Sequence, residues 1–213
     1  SSIRSVNAAF DPDQSDSSNI LFSKEIAKDN GLESPAWLSA KAKGLDMSKP
    51  ARMRRAKDMG FDTETVWYHG TGTSDILEFK PSTVGNLGAG IYFTPKAEGQ
   101  NSASSRAAIA KFKKTGGGAA ANVIPVHLRG DLNFFDMNNN PLTDVDTEGL
   151  KAKGFDGIRR YEKGIIQEVN VFDPSSIRST NAAFDPDQSD SSNILFSKSS
   201  DLSEGEQEAA ALI

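Results

Sequence analysis

A segment of 24 residues occurs twice, and its spacing fixes the size of what lies between. Residues 1–24 read SSIRSVNAAFDPDQSDSSNILFSK and residues 175–198 read SSIRSTNAAFDPDQSDSSNILFSK, differing only as Val6 against Thr180. The copies are 174 residues apart, about the length of one domain. The simplest partition has residues 1–24 as the tail of a preceding similar module, 25–198 as one complete module, and 199–213 as a polar C-terminal tail. A start at Ser1 rather than Met leads us to expect a piece of a longer polypeptide. Inside the repeat, Asp185-Pro186-Asp187-Gln188-Ser189-Asp190 has the acidic spacing of a calcium loop. Its sixth position is Asp190 instead of Gly and its twelfth is Phe196 instead of Glu, so it reads as a Pro-anchored turn. Ile194-Leu195-Phe196 would clip the tail to the body.

Between the repeats the punctuation is that of a mixed fold. Helices are expected over Pro35–Lys43, Lys49–Met59, Ala103–Lys114 and Thr147–Lys153, each ended by Gly or a Gly run. On the second helix Arg52, Arg54, Arg55 and Lys57 read as a mostly solvent-facing basic cluster. Short strands are expected over Val66–His69, Ile91–Phe93, Asn122–Leu128, Leu132–Asp136, Gly157–Arg159 and Ile165–Phe172. Pro125 argues for an edge or bulge. Many short strands, few helices and no βαβ rhythm predict α+β, with helices at the N-terminal side.

Composition narrows the chemistry. No cysteine is present, so disulfides, thiolate nucleophiles and zinc–cysteine sites are excluded, and a reducing compartment is suited. The only histidines are His69 and His127, too few for a multi-histidine metal centre. A net charge of −5 argues against a generally cationic nucleic-acid binder. No apolar run reaches the roughly 18 residues of a membrane helix.

Three of the strands each carry one distinctive polar side chain: His69 in Trp67-Tyr68-His69-Gly70-Thr71, Tyr92 in Gly90-Ile91-Tyr92-Phe93-Thr94, and Glu168 in Ile166-Gln167-Glu168-Val169-Asn170. Period-two alternation puts Ile166, Glu168, Asn170 and Phe172 on one strand face. Read alone, each has an ordinary explanation: a satisfied polar His, a core aromatic, an edge-strand Glu. Together and in this order they resemble the His-Tyr-Glu signature of ADP-ribosyltransferases, the class of diphtheria toxin and the poly(ADP-ribose) polymerases. Tyr-His-Gly-Thr and Gly-Ile-Tyr-Phe are the specific motifs. The stretch from Phe172 to Pro186 is similar to the end of such modules in phage and mobile-element polyvalent proteins.

The resemblance implies a pair of small twisted sheets forming an NAD⁺ cleft, with NAD⁺ as co-substrate and no metal. His69 would bind the adenosine-side ribose, Gly70 would pair with the nicotinamide carboxamide, and Tyr92 would stack on the nicotinamide ring. Thr71 and Thr94 would complete the cofactor site. Glu168 would stabilise the ribosyl cation that forms as the nicotinamide–ribose bond breaks. The stretch Arg159–Gly164 would be a loop whose Arg159, Arg160 and Tyr161 meet a macromolecular acceptor, protein or nucleic acid. A second stacking Tyr common in the family is missing from Gln100–Arg106, and Tyr161 is the available substitute. Ile166, two residues before Glu168, is not the acidic or amide residue of the arginine-modifying toxins. Gly85–Gly90 precedes a strand rather than a helix, so it reads as a flexible loop lining the cleft, not a phosphate loop. His127 reads as structural. The implied activity is mono-ADP-ribosyl transfer in a cytoplasm, including a host's, without membrane association. NAD⁺ hydrolysis and a catalytically idle NAD-binding or interaction module are the alternatives.

Overall fold

The computed structural model describes residues 35–72, 76–83, 85–98, 102–103, 122–138, 145–189 and 191–195. The chain runs α1 (Pro35–Ala42), α2 (Lys49–Asp58), β1 (Trp67–Thr71), β2 (Ile91–Phe93), β3 (Asn122–Leu128), β4 (Phe134–Asn138), α3 (Thr147–Ala152), β5 (Gly157–Glu162), β6 (Ile165–Val171) and β7 (Ile177–Ser179). It is the α+β arrangement expected. The two N-terminal helices, β2, β3 and β6 fall within a residue of their expected bounds. The expected Ala103–Lys114 helix lies, beyond its first residue, outside the described residues. None of the described helices is long and apolar enough to cross a membrane.

Local chemistry sets the boundaries. Pro50 occupies the first turn of α2, where its missing N–H is harmless, and Gly60 at φ 83° ends that helix in a left-handed turn. Asp146 caps α3, accepting from the Gly149 N–H at 2.8 Å.

Two small sheets result, with orders β1-β3-β7 and β2-β6-β5-β4; the pairs are antiparallel except β4 with β5. Pro125 is not at an edge: it lies in the central strand β3, opposite Tyr68. Proline is tolerated because position 125 directs its backbone toward β7, where its carbonyl accepts from the Thr180 N–H and no donor is required. Trp67, Phe93, Val126, Val169, Val171 and Ile177 pack the main core between the sheets. A second cluster, Leu87, Met137, Ile158 and Phe172, covers the other face of the four-stranded sheet beneath α3.

The repeated segment is more than a clipped polar tail. It supplies β7, buries Ala182, Ala183 and Phe184 against α1 and α2, and sends Ile194 into the main core. Of the basic cluster on α2, Arg54 and Lys57 are exposed as expected, whereas Arg52 and Arg55 turn inward. Arg52 is 6% exposed and donates to the carbonyls of Met47, Thr180 and Ala182. Arg55 donates to those of Asp46, Ala183 and Phe184. Carbonyls of irregular chain need donors once buried, and long guanidinium side chains reach them.

Candidate functional site

The sheets meet along one short seam. Tyr68 of β1 and Thr94, just after β2, exchange N–H···O bonds of 2.9 and 3.0 Å. Backbone groups alternate direction along a strand, so Gly70, two residues on, also presents its N–H and C=O toward β2. Tyr92 presents its carbonyl toward β1 for the same reason. The two do not bond. Instead the His69 imidazole Nδ1 lies 2.9 Å from the Tyr92 carbonyl. The strands therefore splay after a single bridge, and Gly70 is left with no backbone hydrogen bond on that edge among the described residues.

A carbonyl only accepts, so His69 carries its proton on Nδ1 when neutral, leaving Nε2 as an acceptor. The ring packs edge-on against Phe79, with centroids 4.7 Å apart, and tilted against Phe93. Burial lowers its pKa, opposed by the bond to Tyr92. His69 thus borders the core side of the seam.

Tyr92 and Glu168 share the opposite side. Tyr92 pairs with Asn170, and Asn170 lies two residues from Glu168, so all three project from one face of the four-stranded sheet. The Tyr92 hydroxyl donates to the Gly88 carbonyl and accepts from the Leu87 N–H. Its ring lies against Gly85, where any Cβ would stand 2.2 Å from the hydroxyl oxygen. Asn170 is fully buried and donates to the carbonyls of Leu87 and Ala89 at 2.8 and 3.1 Å. Thr147 adds a bond to the Ala89 N–H at 3.1 Å. The Gly85–Gly90 stretch is accordingly a tied loop rather than a flexible one. Gly90 is required there: at φ 148°, a Cβ would lie 1.9 Å from Asn170 Oδ1.

Glu168 is 1% exposed, with Arg160 Nε 3.7 Å from Oε2. The two residues are register partners across β5 and β6. This departs from an open, substrate-facing carboxylate. Arg159, Arg160 and Tyr161 belong to β5; only Lys163 and Gly164 form the turn, so the expected acceptor loop shrinks to two residues. Arg159 is held in a bidentate pair with Asp136 at 2.8 and 3.2 Å, and lies over the Phe134 and Tyr161 rings. That pairing raises its pKa. Tyr161 is thus a platform for Arg159 on the sheet surface.

Thr94 is buried, and its hydroxyl donates to the Lys96 carbonyl at 2.7 Å. Thr71 ends β1 opposite Asn122. His127 has the structural setting expected: it is 3% exposed, and its Nδ1 lies 3.1 Å from the Thr65 carbonyl. Asn170 was not singled out from sequence, although alternation already placed it on the Glu168 face. Its Oδ1 is the one buried side-chain oxygen or nitrogen without a partner among the described residues.

Comparison with family models, curated proteins and solved structures finds no match to this chain.

Proposed function

We propose that the chain is an NAD⁺-dependent mono-ADP-ribosyltransferase working at the β1–β2 splay. One observation carries this above the others: Gly70 offers an N–H and a C=O side by side on the splayed edge of β1. A primary carboxamide has the complementary pair, so nicotinamide docks there as a short extra strand. Glycine admits the flat group without a side chain in the way. The His69 Nε2 acceptor suits a ribose hydroxyl, and Tyr92, anchored through its hydroxyl, presents a fixed ring face beside the seam.

Glu168 then stabilises positive charge at the ribose anomeric carbon as its bond to the pyridinium nitrogen lengthens. The electron pair leaves with nicotinamide, which departs neutral and needs no proton. An acceptor nucleophile attacks the same carbon and loses its proton to complete the transfer. Arg160, with its Nε 3.7 Å from Oε2, aims the carboxylate. Macromolecular acceptors, protein or nucleic acid, meet the surface around β5.

The burial of Glu168 beside a half-buried Arg160 favours one other reading, in which the acid is structural and the module is idle. Incubation with NAD⁺ labelled in the ADP-ribose portion, with cell lysate present, tests the proposal. Label on a macromolecule is the expected result, free ADP-ribose alone assigns the site to hydrolysis, and neither product favours the idle module.

A further inference from the structure

We propose that the groove between α1, α2 and the edge of β3 that β7 pairs with is a docking site for either copy of the repeated segment. Residues 175–189 and 191–195 occupy it in the structure, and Ser1–Leu21 of the same chain is its second occupant. This is independent of the chemistry at Glu168.

The groove recognises the segment through a small set of contacts, and the N-terminal copy carries every one. Ile177 pairs with Leu128 and enters the main core; its counterpart is Ile3. Arg178 is 2% exposed and its guanidinium lies over the Phe61 ring, 5.4 Å from the centroid; its counterpart is Arg4. Phe184 is 1% exposed beneath α2 and lies edge-on to Phe61; its counterpart is Phe10. Asp185 accepts from Lys43 at 2.7 Å; its counterpart is Asp11.

The single difference falls where side-chain identity matters least. Thr180 meets the groove through its backbone, donating N–H to the Pro125 carbonyl and accepting from Arg52. Val6 has the same backbone groups. Phe184 also adopts φ 49°, unusual for a bulky residue, which burial must offset. A sequence able to hold that conformation in this setting is present twice.

Reach permits the exchange. Ten residues, 25–34, separate the first copy from α1, enough to span about 33 Å when extended. The groove lies directly against α1, where the Trp37 Nε1 donates to the Asn181 carbonyl at 3.0 Å. Since one groove holds one segment, tethering rather than contact chemistry decides which copy binds. The displaced copy is then free to bind a like groove elsewhere.

Full-length variants test this without removing any part of the chain. Phe10→Asp should melt as wild type does. Phe184→Asp should melt within a few degrees of it, because the intact first copy replaces the damaged one. The double variant should lose its transition or melt about 10 °C lower or more. Equal losses in Phe184→Asp and the double variant would overturn the proposal. The chain has no cysteine, so a direct reporter can be added: Lys43→Cys with Asp11→Cys, treated with a bis-maleimide. Cross-linking should appear in the Phe184→Asp background and vanish when Phe10→Asp is added; no cross-link in the first case would refute docking. Light scattering of Phe184→Asp should give a monomer, and concentration-dependent oligomers would overturn occupation by the chain's own copy.

Discussion

His69 is held neutral in the fold by burial, with its pKa below that of a free imidazole. An unfolded chain takes up the proton near pH ~6.5. Below that pH the unfolded state binds more protons than the folded one, so stability falls as pH drops toward the depressed folded value. His127, also lowered by burial, acts in the same direction. Urea melts of wild type between pH 7.5 and 5 should show this loss, and His69→Asn should shallow the slope; an unchanged slope would mean His69 is not the titrating group. At Glu168 the expected response is to losing its neighbour. Arg160→Met leaves a carboxylate 1% exposed without its guanidinium, at a cost of about 3 kcal/mol. Adding Glu168→Gln to that variant should recover much of the loss in the same melts. The Glu168 face was legible from alternation, but its closure by Arg160 was not. A regular two-residue turn at Lys163–Gly164 would set Arg160 opposite Gln167. A register shift between Arg160 and Tyr161 sets it opposite Glu168 instead, and no residue there announces a bulge.

At the level of elements, the tied loop before β2 is the feature on which Tyr92 depends. Asn170→Ala removes the donor to two carbonyls, one of them on fully buried Leu87, and should cost about 2 kcal/mol. Gly90→Ala should cost about 3 kcal/mol, since the new methyl meets Asn170 in a backbone conformation that favours glycine. Both are measurable by chemical denaturation, and losses below about 0.5 kcal/mol would show the loop is not tied as described. The glycines of this stretch were visible in sequence and suggested mobility. What they permit is close approach, which becomes apparent only once Tyr92 and Asn170 are seen beneath them. The α2 arginines misled for a similar reason: local composition reads Arg52 as a surface charge. Two of its three carbonyl partners, on Thr180 and Ala182, are more than a hundred residues away in sequence, which no periodicity reveals.

For the whole molecule, the α+β class and six of the seven strands followed from short Gly-punctuated segments without a βαβ rhythm, whereas β7, inside the repeat, did not. Assembly into two sheets that touch at one bridge and then part did not, because the Tyr68–Thr94 contact joins strands separated in sequence by residues 72–90. That parting is the source of the proposed activity, and the repeat supplies the framework beside it. The measurement that bears most directly on both is nicotinamide release from NAD⁺ by the purified chain, with and without cell lysate, compared with Glu168→Gln. The account predicts release by wild type and a fall of about 10²–10³-fold in a variant that melts no lower than wild type. No release by folded wild-type protein under either condition, or equal release by Glu168→Gln, would contradict it.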